Sequence, residues 1–272
     1  MKVLFLSLYT FKSINDGYIY ADLIKQFLNE GHKLTVISPD ETISEDIISV
    51  DESLINIRIK NGPIQKTSPL KKLINLWRLD KKSISVLRKE TDKFDLVICM
   101  ISHCAFFRTV KYIKDRDKVF IYNMVKDIFP QNAVDLGMMK KGGLLYKWFK
   151  AKESRYYKIS DCLGVLSDKA VQFLRKDNQK LKDKALEVNP NSCICKQSQS
   201  LLSQAEKIDV FNKYNLPLDK TIFVYGGNLG KPQGIEFLLE CVKINESRED
   251  GKAFFVIIGN GTEYSKIDKY FT

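Results

Sequence analysis

The sequence predicts an α/β fold built on parallel sheet, and three observations carry that prediction. Apolar runs of strand length alternate with helix-length amphipathic segments along most of the 272 residues. The first such unit is a strand, a helix ending at Gly31 and a second strand, which implies a right-handed parallel crossover. The rhythm breaks in the polar stretch NSCICKQSQSLLSQAEKID and then resumes, dividing the chain into residues 1–195 and 196–272.

Taken in order, Lys2 to Leu8 reads as a buried strand by its apolar run. After the loop YTFKSIND, a helix is expected from about Gly17 to Glu30, with Tyr20, Leu23, Ile24, Phe27 and Leu28 at helical spacing. Gly31 suits the left-handed residue that closes it. HKLTVIS is the second strand, closed by Pro39, and a weaker strand follows at Ile55 to Ile59. A long helix is expected from Pro69 to Glu90, then short strands in FDLVICM, KVFIYNM, DCLGVLS and KALEVNP, each separated by helix-length sequence. That pattern implies a parallel sheet covered by helices on both faces, complete by Asn189. Beyond the polar stretch, read as a linker, come the strand TIFVYGG, a helix to about Lys243, the strand AFFVIIGNG and a helix starting in TEYSKIDKYF. A doubly wound half usually has about five or six strands, so the second domain is expected to be incomplete.

Composition narrows the function. At 44% hydrophobic and 28% charged residues the chain is globular rather than disordered. No apolar run approaches the roughly twenty residues that span a bilayer. The start, MKVLFLSLYT, lacks a small-residue cleavage site and reads as a first strand rather than a signal peptide. The six cysteines, Cys99, Cys104, Cys162, Cys193, Cys195 and Cys241, form no C-x-x-C pair, and the only histidines are His32 and His103. A zinc site is therefore disfavoured, and reduced thiols in a cytosolic protein are expected. The net charge of +11 calls for a nucleic acid, an anionic membrane or an anionic substrate such as a nucleotide diphosphate.

The segment TIFVYGGNLGKPQGIEFLLE is a strand, a glycine turn and a helix. Gly226 and Gly227 remove the Cβ atoms that keep an anion from backbone N–H groups. A helix beginning near Pro232 would aim its positive end at that anion, and Lys231 could add a point charge. An ordinary βα turn uses the same residues, and both readings stay open. Asp127 follows KVFIYN near the C-terminal edge of the sheet, where such folds hold ligands; it is either a ligand-binding carboxylate or the N-cap of a helix over Ile128 to Leu136. His103 also ends a strand, and a structural histidine is favoured over a base there. DRD, at Asp115 to Asp117, mimics a D-x-D metal motif but is read as a solvated surface loop.

The order of these pieces resembles glycosyltransferase family 4, whose GT-B fold joins two Rossmann-like domains. The resemblance covers the whole chain. GYIYADLIKQFLNEGHKLTVISP is similar to the family's opening helix and second strand, and VKDIFPQNAVDLGMM to a segment of a subgroup acting in capsule and O-antigen assembly. YYKISDCLGVLSDKAVQFL and ALEVNPNSC resemble the end of the first domain. FVYGGNLGKPQGIEFLLE and FFVIIGNGTEYSKI resemble the phosphate turn and following strand of the donor domain. The resemblance implies retaining, metal-independent transfer of a sugar from a nucleotide diphosphate sugar, with no cofactor beyond that donor. It implies that the donor phosphates sit on Gly226, Gly227, Asn228, Lys231, Gln233 and Gly234, beside a second donor loop of Gly259, Asn260 and Gly261. It places Asp16 and Gly17 in an acceptor-side loop, and Asp127 where it would bind the acceptor or orient its hydroxyl. Where members often carry Arg and Lys after the glycine pair, this sequence has Asn228 and Gln233. Where many carry Gly-Gly in the first loop, it has Asp16 and Gly17. The family's two carboxylates seven residues apart would lie beyond Thr272, so a truncated, inactive donor site is expected.

Two basic segments remain. In PLKKLINLWRLDKKSISVLRKE, Leu70, Leu73, Ile74, Trp77 and Ile84 share one helical face, with Lys71, Arg78, Lys82 and Lys89 on the other. In MMKKGGLLYKWFKAKESRYYK, Lys140, Lys141, Lys147 and Lys150 interleave with Tyr146, Trp148 and Phe149. Such mixtures suit an anionic membrane headgroup layer, as a lipid-linked saccharide acceptor at the inner face of the plasma membrane requires; core helices with a solvated basic face are the alternative. Nucleic acid is disfavoured because no nucleic-acid module is recognisable. A non-catalytic remnant that binds acceptor or membrane is the runner-up. A nicotinamide enzyme is disfavoured because no G-x-G-x-x-G follows the first strand.

Overall fold

The computed structural model describes residues 1–17, 19–64, 67–100, 105–194, 202–248 and 251–271. The chain divides into two compact units, Met1–Ile194 and Cys195–Thr272.

In the first unit β1 (Lys2–Leu6), α1 (Ala21–Asn29) and β2 (Lys33–Asp40) form the expected crossover. There follow β3 (Ile47–Asp51), β4 (Leu54–Lys60), α2 (Pro69–Leu87), β5 (Leu96–Cys99), α3 (Phe107–Asp117) and β6 (Phe120–Val125). The unit ends with α4 (Gln131–Asp135), α5 (Leu144–Ile159), β7 (Cys162–Val165), α6 (Asp168–Asp177) and β8 (Ala185–Val188). The eight strands form one sheet in the order β3-β4-β2-β1-β5-β6-β7-β8, parallel except for β3. Gly31 closes α1 with φ of +77°, and the His32 N–H returns to the Phe27 carbonyl at 3.0 Å. One apolar cluster packs α2 and α3 on the sheet through Leu76, Leu79, Val110 and Ile113, and another packs Ile24 of α1 and its N-cap Tyr20 on it. Cys99 and Cys162 are buried as expected of small hydrophobes, and burial pushes the Cys99 thiol well above its ordinary range.

Several expectations fail for identifiable reasons. β3, where no strand was expected, is an antiparallel edge strand, mostly exposed although Ile47, Ile48 and Val50 are apolar. β2 runs through Pro39, which pairs with Ile59, instead of stopping there. The Leu34 N–H points to β4, so by alternation the nitrogen of Pro39 points to the β1 side, where β1 has already ended and no ladder bond is lost. DRD is no loop: it finishes α3, and the Asp117 carboxylate accepts the Phe94 N–H at 3.0 Å and Arg116 Nη2 at 2.7 Å. Among the described residues no group of three His, Cys, Asp or Glu side chains could hold a metal ion.

α2 also differs in the face it buries. Asn75, Leu76, Leu79, Asp80, Ser83 and Leu87 turn inward, whereas Leu70 is 69% and Trp77 48% exposed. The inward polar groups are satisfied: Asn75 Nδ2 donates to the Pro63 carbonyl at 2.9 Å and Ser83 Oγ to the Leu79 carbonyl at 2.8 Å. Asp80 does more. Its carboxylate accepts the N–H groups of Arg108 (3.1 Å) and Thr109 (2.8 Å) and the Thr109 hydroxyl (2.5 Å), capping α3, whose own N-cap Phe106 supplies no side-chain acceptor.

Buried Asp40 offers a pH test. Burial alone would raise its pKa, but hydrogen bonds from Thr42 and Arg58 outweigh it, and the carboxyl lies below the usual range. A depressed folded pKa contributes stability above the unfolded value near 4 that is lost as pH falls through the folded value. Urea midpoints are therefore expected to fall below about pH 4, with a shallower acid limb in Asp40→Asn; superimposable limbs would contradict this.

The second unit holds α7 (Gln204–Lys213), β9 (Thr221–Asn228), α8 (Ile235–Glu246), β10 (Ala253–Asn260) and α9 (Tyr264–Phe271). α7 occupies part of the expected linker. Its Ser203–Glu206 capping box, the S-x-x-E signature, was legible in the sequence and was missed. β9 and β10 pair in parallel over their full length. Tyr225 and Ile257 lie with Leu229, Ile235, Leu239 and Ile267 in the apolar cluster that α8 covers. The alternate residues point to the other face, where Val224 is 65% and Ile258 61% exposed.

Candidate functional site

Strand register assembles the site in the second unit. Gly226, Gly227 and Asn228 stand opposite Ile258, Gly259 and Asn260, so both glycine-bearing strand ends finish level at the C-terminal edge. The approach is close enough to demand glycine. A Cβ on Gly259 would lie 2.0 Å from the Gly227 carbonyl oxygen, and one on Gly261 2.3 Å from that of Leu229. At Gly226, which by alternation shares the exposed face of Val224 and Ile258, the same atom would meet nothing within 4 Å.

After this corner the chain makes a single 3-10 turn at Lys231–Gln233, and α8 starts at Ile235, three residues later than expected near Pro232. Gly234, with φ of +64°, is the helix N-cap. The first amides of α8 have no intrahelical acceptor and carry the positive end of its dipole. Asn228 and Gln233 bind each other, Nδ2 to Oε1 at 3.1 Å, across the turn, and Tyr225 donates to the Asn228 carbonyl at 2.8 Å. Glu236 in the first turn of α8 pairs with Lys266 at 2.7 Å, which holds its carboxyl below the usual range and raises Lys266 to about 12. Asn260 folds back on the Gly261 N–H at 2.7 Å.

In the first unit the connection after β1 leads toward β2 and the one after its neighbour β5 leads the other way, toward β6, which creates between them the crevice where open α/β sheets hold ligands. The loop after β1 carries Tyr9, Asp16 and Gly17. Its Phe11 N–H donates to Ser38 Oγ at 3.1 Å, and Asn56 Nδ2 donates to the Phe11 and Lys12 carbonyls at 3.1 Å. Asp16 accepts the Lys12 N–H at 3.2 Å, closing this loop. Asp127 follows β6 and is exposed. It is not a helix cap, because α4 starts at Gln131 behind Pro130 with no side-chain cap. Burial, together with Tyr9 and Asp127, raises the Tyr20 phenol to about 12, so the three groups share one neighbourhood. Tyr9 and Tyr20 were not singled out as site residues by sequence reasoning. His103 lies outside the described residues.

The basic residues are unequal. Lys82 is committed to Asp46 at 2.8 Å, and Lys150 to Glu153 and Asp177. Lys71, Arg78, Lys140, Lys141 and Trp148 are exposed, with Lys152 Nζ 3.7 Å over the Trp148 ring.

Each unit is Rossmann-like, and their succession along the chain is that of the GT-B fold. No protein-family model matches the sequence. A curated relative, the probable glycosyltransferase WbjE of Pseudomonas aeruginosa, is 24% identical over 259 residues. The match takes in 93% of this chain but only 61% of the relative, so the chain spans about three fifths of that protein's length. Among solved structures, one of trehalose-6-phosphate from E. coli bound with UDP-2-fluoro glucose aligns with TM-score 0.67 at 10% identity, over 100% of this chain and 68% of the other. WaaG, a glycosyltransferase involved in lipopolysaccharide biosynthesis, aligns with TM-score 0.60 at 12% identity, over 98% and 65%. At these identities the structural likeness establishes the fold.

Proposed function

We propose that the chain is part of a retaining, metal-independent glycosyltransferase of family 4. It would move a sugar from a nucleotide diphosphate sugar to a lipid-linked saccharide in surface polysaccharide synthesis, at an anionic membrane surface. The observation that carries this reading is the level pairing of Gly226–Asn228 with Ile258–Asn260 ahead of α8. Bare glycine backbone at strand ends followed by a helix start suits a diphosphate. Similarity to WbjE over most of the chain and to a UDP-sugar-bound structure supports the same class.

In this reading the bond from the anomeric carbon to the diphosphate breaks while one to the acceptor oxygen forms. The acceptor proton is released and the nucleoside diphosphate leaves. Charge growing on the diphosphate is stabilised by the amides of Gly226 and Asn228, the α8 terminus and Lys231. Asp127, beside Tyr9 and Tyr20, orients the acceptor hydroxyl.

Calorimetric titration with UDP, GDP and their sugars tests this. One nucleotide family is expected to bind, without added metal, which would overturn the expectation of an inactive donor site. Asp127→Asn should leave that binding unchanged and lower sugar transfer by about tenfold or more. Tight binding of NAD, with no response to any nucleotide sugar, would end the reading.

A further inference from the structure

We infer that the outer face of α2 is an anionic-lipid site in which Trp77 separates a headgroup groove from an acyl-chain groove. The inference rests on the membrane-surface reading above and locates the contact. Trp77 lines both grooves. On one side α2, α3 and α5 enclose about 350 Å³ floored by Leu73, Leu76, Trp77, Phe107 and Tyr156 and edged by Arg108, Lys152 and Arg155. The acid lining it, Asp80, has its carboxylate committed to capping α3. On the other side a shallower groove of about 690 Å³ is lined by Lys60, Arg78, Lys81 and Lys82, of which Lys82 is paired with Asp46.

The chemistry of the two grooves is that of an amphiphile divided at its polar boundary. Lys81 Nζ sits 5.6 Å over the Trp77 ring, which marks where cation and indole share that boundary. Leu70, Leu73 and Ile74 are exposed beside Trp77, an apolar ridge that a soluble helix face would bury. With cations on both flanks, the complementary occupant is a bilayer leaflet rich in anionic phospholipid. An oligonucleotide would satisfy the cations but leave the apolar groove and ridge in water.

Flotation tests this on the whole chain carrying Trp148→Phe, which leaves Trp77 as the sole tryptophan. Binding to phosphatidylglycerol vesicles, little binding to phosphatidylcholine vesicles, and quenching of Trp77 by chain-brominated lipid are expected. Lys81→Gln should weaken binding about fivefold, and Trp77→Ser in the unmodified chain should weaken it further. Both positions are exposed enough that an unchanged melting transition is expected; should Trp77→Ser misfold, Lys81→Gln carries the test. Binding that leaves Trp77 unquenched and ignores both substitutions would overturn the site while sparing the membrane reading. Absence of binding to either vesicle would overturn both. Preference for a single-stranded oligonucleotide over anionic vesicles would also overturn the site.

Discussion

Gly226→Val is expected to weaken nucleotide binding by at least about a hundredfold, the loss of one or two charge-assisted hydrogen bonds, without weakening the fold. The added side chain enters space that no protein atom occupies within 4 Å, so the cost falls on whatever anion would use that space. Gly259→Ala makes the contrast. Its Cβ would lie 2.0 Å from the Gly227 carbonyl oxygen, so the two strands must separate and the second unit itself should lose stability. Calorimetry against the nucleotide and a melting curve for each variant distinguish the two. If Gly226→Val binds as the parent does, the diphosphate is not seated at this corner.

Asp80→Ala is expected to destabilise the first unit by about 3 kcal/mol, because three donors lose a charged acceptor in a buried place. Neither α2 nor α3 replaces that acceptor: Phe106 at the start of α3 has φ of 58° and no capping side chain. Asp80→Asn, which keeps one acceptor oxygen, should recover part of the loss. The measurement is the urea midpoint followed by circular dichroism. An Ala variant within about 0.5 kcal/mol of the parent, the range of an ordinary surface change, would show that the cap is dispensable.

Much of the α/β alternation was legible because each parallel strand is a short apolar run and each crossover an amphipathic helix. The glycine corner was legible because Gly226, Gly227, Gly259 and Gly261 stand out in sequence. That Gly227 and Gly259 lie opposite one another was not, since register depends on how far β9 and β10 slide past each other. Asp127 was visible as a carboxylate at a strand end. Tyr9 and Tyr20 came to its side only when the loop after β1 folded back over the sheet.

By itself, then, the sequence determined most of the strands and helices, β3 and α7 excepted, and the two glycine turns, because these follow from local periodicity and backbone freedom. Only the tertiary structure decided which side of α2 faces water. The helix carries two stripes at helical spacing. Leu70, Leu73, Ile74 and Trp77 form the more apolar one, while Asn75, Leu76, Leu79, Asp80, Ser83 and Leu87 form the one that is buried. Hydropathy ranks the first stripe higher. The second is nevertheless buried because partners far away in the chain, Pro63, Arg108 and Thr109, satisfy its polar groups, and no periodicity along one helix encodes that.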